Sequence, residues 1–179
     1  MKKIVLILCI CATCISVKAQ EKKNFVQKLI DKGFMSSTDI RVGNGEGFTA
    51  LDITVPFGYN FNKYINARIP VGSETVLFEE EGVRDWAHNG TIGLGLGIIP
   101  FRFEDDGDNG FIELYIATGT TYKHKYDWQY TYYDFGLSFA NGKVGSSRRS
   151  QIGFGVRYYD ARKSENRITA YISFGIRLN

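Results

Sequence analysis

The chain has 179 residues, with 22 Lys and Arg against 19 Asp and Glu, and three cysteines. That length suits one domain or one small barrel and excludes a multi-domain enzyme. The formal charge of +3 is matched by Lys2, Lys3 and Lys18 at the start, so the remainder is balanced, which argues against a nucleic-acid partner.

Residues 1–19 carry the three zones of a secretory signal: Lys2 and Lys3, the apolar stretch Ile4 to Ile10, and the small-residue exit Val17-Lys18-Ala19 before Gln20. Cleavage is expected after Ala19, following Sec-type export. The apolar run is well short of the roughly 20 residues a membrane-spanning helix needs. Cys9, Cys11 and Cys14 all fall here, and none follows a leucine and two small residues as a lipoprotein signal would require. The exported chain is therefore expected to form no disulfide and no thiolate metal site, although it enters an oxidising compartment.

Residues 20–37 do not alternate in polarity. Phe25, Val26, Leu29 and Ile30 are spaced for one face of a short helix that Gly33 could end. The segment reads as an N-terminal periplasmic arm, with a plug in the lumen as the alternative.

From residue 38 onward the pattern has a period of two. A weak first strand lies around Asp39 to Gly43. Leu51, Ile53, Val55 and Phe57 then face away from Asp52 and Thr54, and Ile65, Ala67, Ile69 and Val71 face away from Asn66 and Arg68. Ile92, Leu94, Leu96 and Ile98 oppose Thr91, Gly93, Gly95 and Gly97; Ile112, Leu114 and Ile116 oppose Glu113, Tyr115 and Ala117. Tyr133, Phe135, Leu137 and Phe139 oppose Asp134, Gly136 and Ser138, while Ile152, Phe154, Val156 and Tyr158 oppose Gly153, Gly155 and Arg157. The last window, Arg167 to Leu178, alternates throughout and is about 12 residues long, more than a globular strand needs and enough for a tilted bilayer crossing.

The connections form a second series. Asn60 to Lys63, Glu104 to Asn109 and Asn141 to Gly145 are short and rich in Asn, Asp or Gly, and fall on one side. Asn44 to Gly47, Glu79 to Asn89, Tyr122 to Lys125 and Ala161 to Asn166 fall on the other, which is expected to be external. Parity then requires an even number of strands, about eight.

Alternation alone also permits a soluble periplasmic lipocalin-like barrel that binds an apolar ligand inside. Two features favour the inverted arrangement. Glycines 93, 95, 97, 153, 155 and 175 lie on the polar face, where a narrow lumen needs small residues beside Tyr115, Tyr159 and Tyr171. Aromatics gather near strand ends: Tyr126, Trp128, Tyr130, Tyr132 and Tyr133 on the external side, and Phe57, Tyr59, Phe61, Tyr64, Phe101, Phe103, Phe111 and Phe139 on the periplasmic side. Both groups read as interfacial girdles.

Together the signal, the alternating strands and the amphipathic last strand resemble the small outer-membrane β-barrel family, the group holding opacity-type and adhesin-like proteins. The resemblance covers residues 38–179 and implies an all-β, up-and-down antiparallel transmembrane barrel. It further implies outer-membrane lipid and the barrel-assembly machinery as partners, and external loops that carry recognition. Members of that family end in an aromatic residue, whereas this chain ends Arg177-Leu178-Asn179.

The charged groups on the polar face, Asp52, Arg68, Glu113, Asp134 and Arg157, are expected to form an ion-pair network in the lumen, with Arg177 on the same face. An interior of about eight strands is only wide enough for side chains, so no aqueous pore is expected. Glu79, Glu80, Glu81, Arg84, Asp85 and Trp86 make the long external loop the candidate surface for an extracellular partner. His88 and His124 are also external, and no serine is near either in sequence. No catalytic, cofactor or metal site is predicted, and no enzyme activity.

Overall fold

The computed structural model describes residues 25, 27–80, 83–124 and 128–178. The expected signal peptide, Glu81 and Tyr126 lie outside the described residues, as do the side chains of Glu80, Arg84 and His124. Eight strands follow one another: β1 (Phe34–Gly45), β2 (Phe48–Asn60), β3 (Ile65–Glu80), β4 (Val83–Asp105), β5 (Asp108–His124), β6 (Tyr130–Lys143), β7 (Arg148–Ala161) and β8 (Arg167–Leu178). Each pairs antiparallel with the next. β1 also pairs antiparallel with β8, from Ser36 opposite Leu178 to Gly45 opposite Thr169, which closes the barrel and leaves no edge.

The chain enters β1 and leaves β8 at the same end, where the connections 61–64, 106–107 and 144–147 also lie. At the turn between β4 and β5, Asp106 (φ +43°) and Gly107 (φ +86°) are both left-handed, with Asp105 opposite Asp108. That is the mirror-image turn that suits strand twist and that Asp-Gly adopts readily.

Alternation sets which face of every strand meets the lumen. Ile40, Ile53, Ile69, Leu94, Phe135 and Ile176 stand on the outer wall, while Arg41, Asp52, Arg68, Glu113, Asp134 and Arg177 are buried inside. The contrast is wide: Leu94 is 65 % exposed and its counterpart Glu113 is 0 % exposed.

Three readings of the sequence are corrected. Within the expected loop Glu79 to Asn89, residues 79–80 and 83–89 are strand rather than loop, in a ladder that runs through Thr75 opposite His88, Leu77 opposite Trp86 and Glu79 opposite Arg84. Its outward residues are mixed in polarity, so the period of two was hidden. β1 likewise starts at Phe34 rather than near Asp39, because its outward positions Ser36 and Thr38 are polar. Thirdly, Phe111, Trp128, Tyr130 and Tyr132 do not join an outer girdle. They are buried in the lumen with Glu113 and Asp134, whose parity they share. Grouping them by nearness to a strand end overlooked the face that parity assigns.

Candidate functional site

The lumen is a stack of polar and aromatic layers. Nearest the end where the chain enters β1 and leaves β8, Phe111 packs with Ile99 and Ala140, and the guanidinium of Arg177 lies 4.8 Å from the Phe111 ring centre. Ile99 keeps the inward parity of Gly95 and Gly97, and its N–H donates to the Tyr64 carbonyl at 2.7 Å; the register shift between Ile98 and Phe101 then turns Phe101 outward.

Above this layer one carboxylate collects several donors. Glu113 accepts from Arg68 at 2.5 Å, Arg177 at 2.9 Å, Asn66 at 2.6 Å and Ser138 at 3.4 Å. Asp39, beside it, accepts from Ser37 at 3.0 Å and Gln151 at 3.2 Å.

The middle and outer layers are organised by Arg157. Its Nε and Nη2 donate to the two oxygens of Asp134 at 2.8 and 2.9 Å, a bidentate pair. Its Nη1 donates to Glu74 at 2.9 Å and lies 3.1 Å from Asp52. Arg41 gives Asp134 a further bond at 2.6 Å. Glu74 also accepts from the hydroxyls of Tyr159, at 2.8 Å, and Tyr130.

Aromatic rings fill what the ion pairs leave. Arg68 stacks 4.3 Å from the Tyr115 ring and Arg157 4.4 Å from Tyr132, so each cation faces a π surface as well as its acids. These rings need glycine opposite them: a Cβ at Gly95 would lie 2.8 Å from Tyr115, and one at Gly155 2.6 Å from the Tyr171 hydroxyl. At the opposite mouth Phe48, Phe78, Trp128, Tyr130 and Tyr159 form a continuous cluster with ring centres 5.0 to 6.2 Å apart. The Arg167 guanidinium lies 5.6 Å from Phe48, at the top of this cap.

Between the layers there are cavities of 20 Å³, bordered by Asp39, Glu113 and Tyr115, and of 10 Å³, bordered by Asp52, Glu74 and Arg157. Spaces of that size hold about one water molecule each. They form neither a channel nor a pocket for an apolar ligand.

The five lumen residues singled out in the sequence thus meet in two groups, Arg68 with Glu113 and Asp52 with Asp134 and Arg157. Four further members, Asp39, Arg41, Glu74 and Arg177, belong to the same assembly. Arg177 was visible by parity on the last strand. Glu74 was not, because Pro70 and Gly72 interrupt the polar row that leads to it.

On the outer wall, strand pairing brings His88 to two hydroxyls that sequence proximity did not reveal: Ser73 Oγ lies 3.3 Å from Nε2 and Thr75 Oγ1 3.0 Å from Nδ1. A hydroxyl thus occupies the position where a carboxylate would orient a catalytic imidazole. Of the candidate partner surface, Glu79, Asp85 and Trp86 are exposed near the hairpin tip.

No family model matches the chain, and no curated protein does. Solved structures do. A de novo designed transmembrane β-barrel aligns over 82 % of this chain and 94 % of its own, at 12 % identity and a TM-score of 0.43. Neisserial surface protein A aligns over 82 % and 96 %, at 15 % identity and 0.47. The N-terminal β-barrel domain of Pseudomonas aeruginosa OprF aligns over 80 % and 97 %, at 6 % identity and 0.36. These likenesses concern the fold alone; the closed eight-stranded architecture stands on this chain's own ladders.

Proposed function

We propose that the chain is an integral outer-membrane β-barrel with a sealed lumen, a rigid scaffold whose external β3–β4 hairpin carries recognition. The observation behind this reading is the inverted polarity of the wall: large aliphatic and aromatic side chains outside, ion pairs and glycines inside. In water, leaving each such side chain exposed forgoes about 1.5–3 kcal/mol of burial, which hydrocarbon restores. On β4 the outward row from Ile92 to Phe103 spans about 25 Å for strands tilted near 45°, the height of a bilayer's apolar band.

The soluble lipocalin-like alternative requires an apolar interior with room for a ligand. Here the interior is charged and filled, which removes the support for that reading.

A role in surface recognition, of the opacity or adhesin kind, draws on the hairpin. β3 and β4 run past the apolar band, and Leu77 and Trp86 are exposed opposite one another beyond the polar group Ser73, Thr75 and His88. The reading assigns no catalytic step. Its partners are outer-membrane lipid, the assembly machinery that inserts such barrels, and an extracellular ligand of the hairpin.

Detergent partition tests the scaffold claim. The protein should enter the detergent phase and migrate faster on gels when unboiled than when boiled. Recovery in the aqueous phase with no heat-dependent shift would refute it.

A further inference from the structure

Residues 27–33, which lead into β1, lie outside the lumen. Residues 27–31 form one helical turn, followed by N–H bonds from Lys32 and Gly33 to the carbonyls of Leu29 and Ile30 at 3.1 and 2.8 Å. Gly33 then fastens the segment to the barrel, since its carbonyl accepts the N–H of Asn60, at the end of β2, at 2.7 Å. This seat requires glycine: φ is +94°, and a Cβ would lie 2.9 Å from the Asn60 carbonyl oxygen and 3.1 Å from the Tyr59 ring.

Its surroundings are those of the outer wall. Leu29 and Ile30 border an outer groove shared with Phe34, Phe57 and Ile69. The rings of Phe34 and Tyr59, and of Tyr59 and Phe61, meet edge to face at 5.6 Å. Phe25 and Phe61 are 64 % and 63 % exposed, and Lys28 and Lys32, on the same segment as Phe25, are exposed together with Asp31, which accepts from Gln27. Lys63, in the adjoining turn, holds its ammonium 5.0 Å from the Tyr64 ring.

We propose that this segment is an interfacial anchor lying on the periplasmic leaflet, with Phe25, Leu29 and Ile30 among the acyl chains and Lys28 and Lys32 on the phosphates of its glycerophospholipids. Two observations select that occupant. The segment's apolar residues continue the apolar belt without a break through Phe34 and Phe57, and the lysines beside them complement anionic headgroups while their stems lie along apolar surface. A plug finds no space among the described residues, which fill the lumen from Phe111 to the aromatic cap. The inference rests on the membrane reading.

A nitroxide depth measurement tests it. The three cysteines at 9, 11 and 14 are replaced by serine, and a spin label is attached in Phe25→Cys or, separately, Ile172→Cys, in the protein reconstituted into vesicles of phosphatidylethanolamine and phosphatidylglycerol. Position 25 should be more accessible to oxygen than to a water-soluble nickel chelate, at a shallower depth than position 172. Adding Lys28→Glu and Lys32→Glu should move position 25 toward water. A label at 25 that is open to nickel, or shielded from both agents as a plug would be, overturns the anchor while a lipid-buried label at 172 leaves the membrane reading intact. Should position 172 also be open to nickel, the membrane reading itself fails. An unchanged depth in the double-glutamate variant overturns the role given to the lysines.

Discussion

Two nodes of the lumen, Glu113 and Arg157, meet one electrostatic problem with opposite stoichiometry. At the end where the chain enters β1 and leaves β8, the one carboxylate of Glu113 serves two guanidiniums, Arg68 and Arg177. Toward the opposite end a single guanidinium, Arg157, serves three carboxylates, Asp52, Glu74 and Asp134, with Arg41 assisting the last. The acid-rich node makes up its imbalance with neutral donors, Tyr130 and Tyr159 on Glu74, whereas the cation-rich node sets its guanidiniums against ring faces, Arg68 on Tyr115 and Arg177 on Phe111. A buried charge without its partner costs more than the pair contributes, so the stability of each group depends on its node.

The largest effect is therefore expected at the outer node. Arg157→Leu strands Glu74 and Asp52 in a dry interior and should cost about 5 kcal/mol or more, at or above the upper end of what breaking a buried pair costs. The folded, heat-modifiable band should be lost. Adding Glu74→Gln should restore part of it by removing one stranded charge, and no recovery would mean that the two residues do not act as one unit. At the inner node, Glu113→Gln leaves Arg68 and Arg177 facing an amide that still accepts hydrogen bonds but brings no charge. A loss of about 3 kcal/mol in urea unfolding from detergent is expected. Equal losses at both nodes would erase the contrast between them.

On the outer wall the penalty has another origin. Leu94→Arg places a charge in the outward row, and at the bilayer midplane it should cost about 2–4 kcal/mol in vesicles. In a soluble barrel the same change would cost almost nothing, because the position faces out. Measuring folding free energy of this variant in lipid therefore sets the wall apart from the lumen.

Much of this architecture was legible in the sequence, because a period of two reports the inward and outward faces wherever the outward face is uniformly apolar. The windows around Leu94, Phe135 and Ile172 needed nothing more. Legibility ended where the outward face leaves the apolar belt, as it does at Thr75, His88, Ser36 and Thr38, and there strands were read as loop or arm. The lumen site was half legible for a related reason. Parity identifies which charges point inward, but which acid meets which base depends on register and on how far side chains reach across the barrel. Arg41 on β1 reaches Asp134 on β6, a contact that no local pattern encodes.

Asp52 marks the lower limit of these effects. It lies 3.1 Å from a guanidinium already held by Glu74 and Asp134, and among the described residues neither of its oxygens receives a hydrogen bond of good geometry. The buried lumen charges described are five acids, Asp39, Asp52, Glu74, Glu113 and Asp134, against four arginines, Arg41, Arg68, Arg157 and Arg177. Removing one carboxylate brings the two signs level. Asp52→Asn should accordingly leave stability within about 1 kcal/mol of the parent, tending toward stabilisation, because the desolvation cost of a poorly bonded carboxylate disappears with its charge. A loss as large as that of Glu113→Gln, read in the same urea titration, would mean that Asp52 is a full member of the outer node and that Arg157 holds three acids equally.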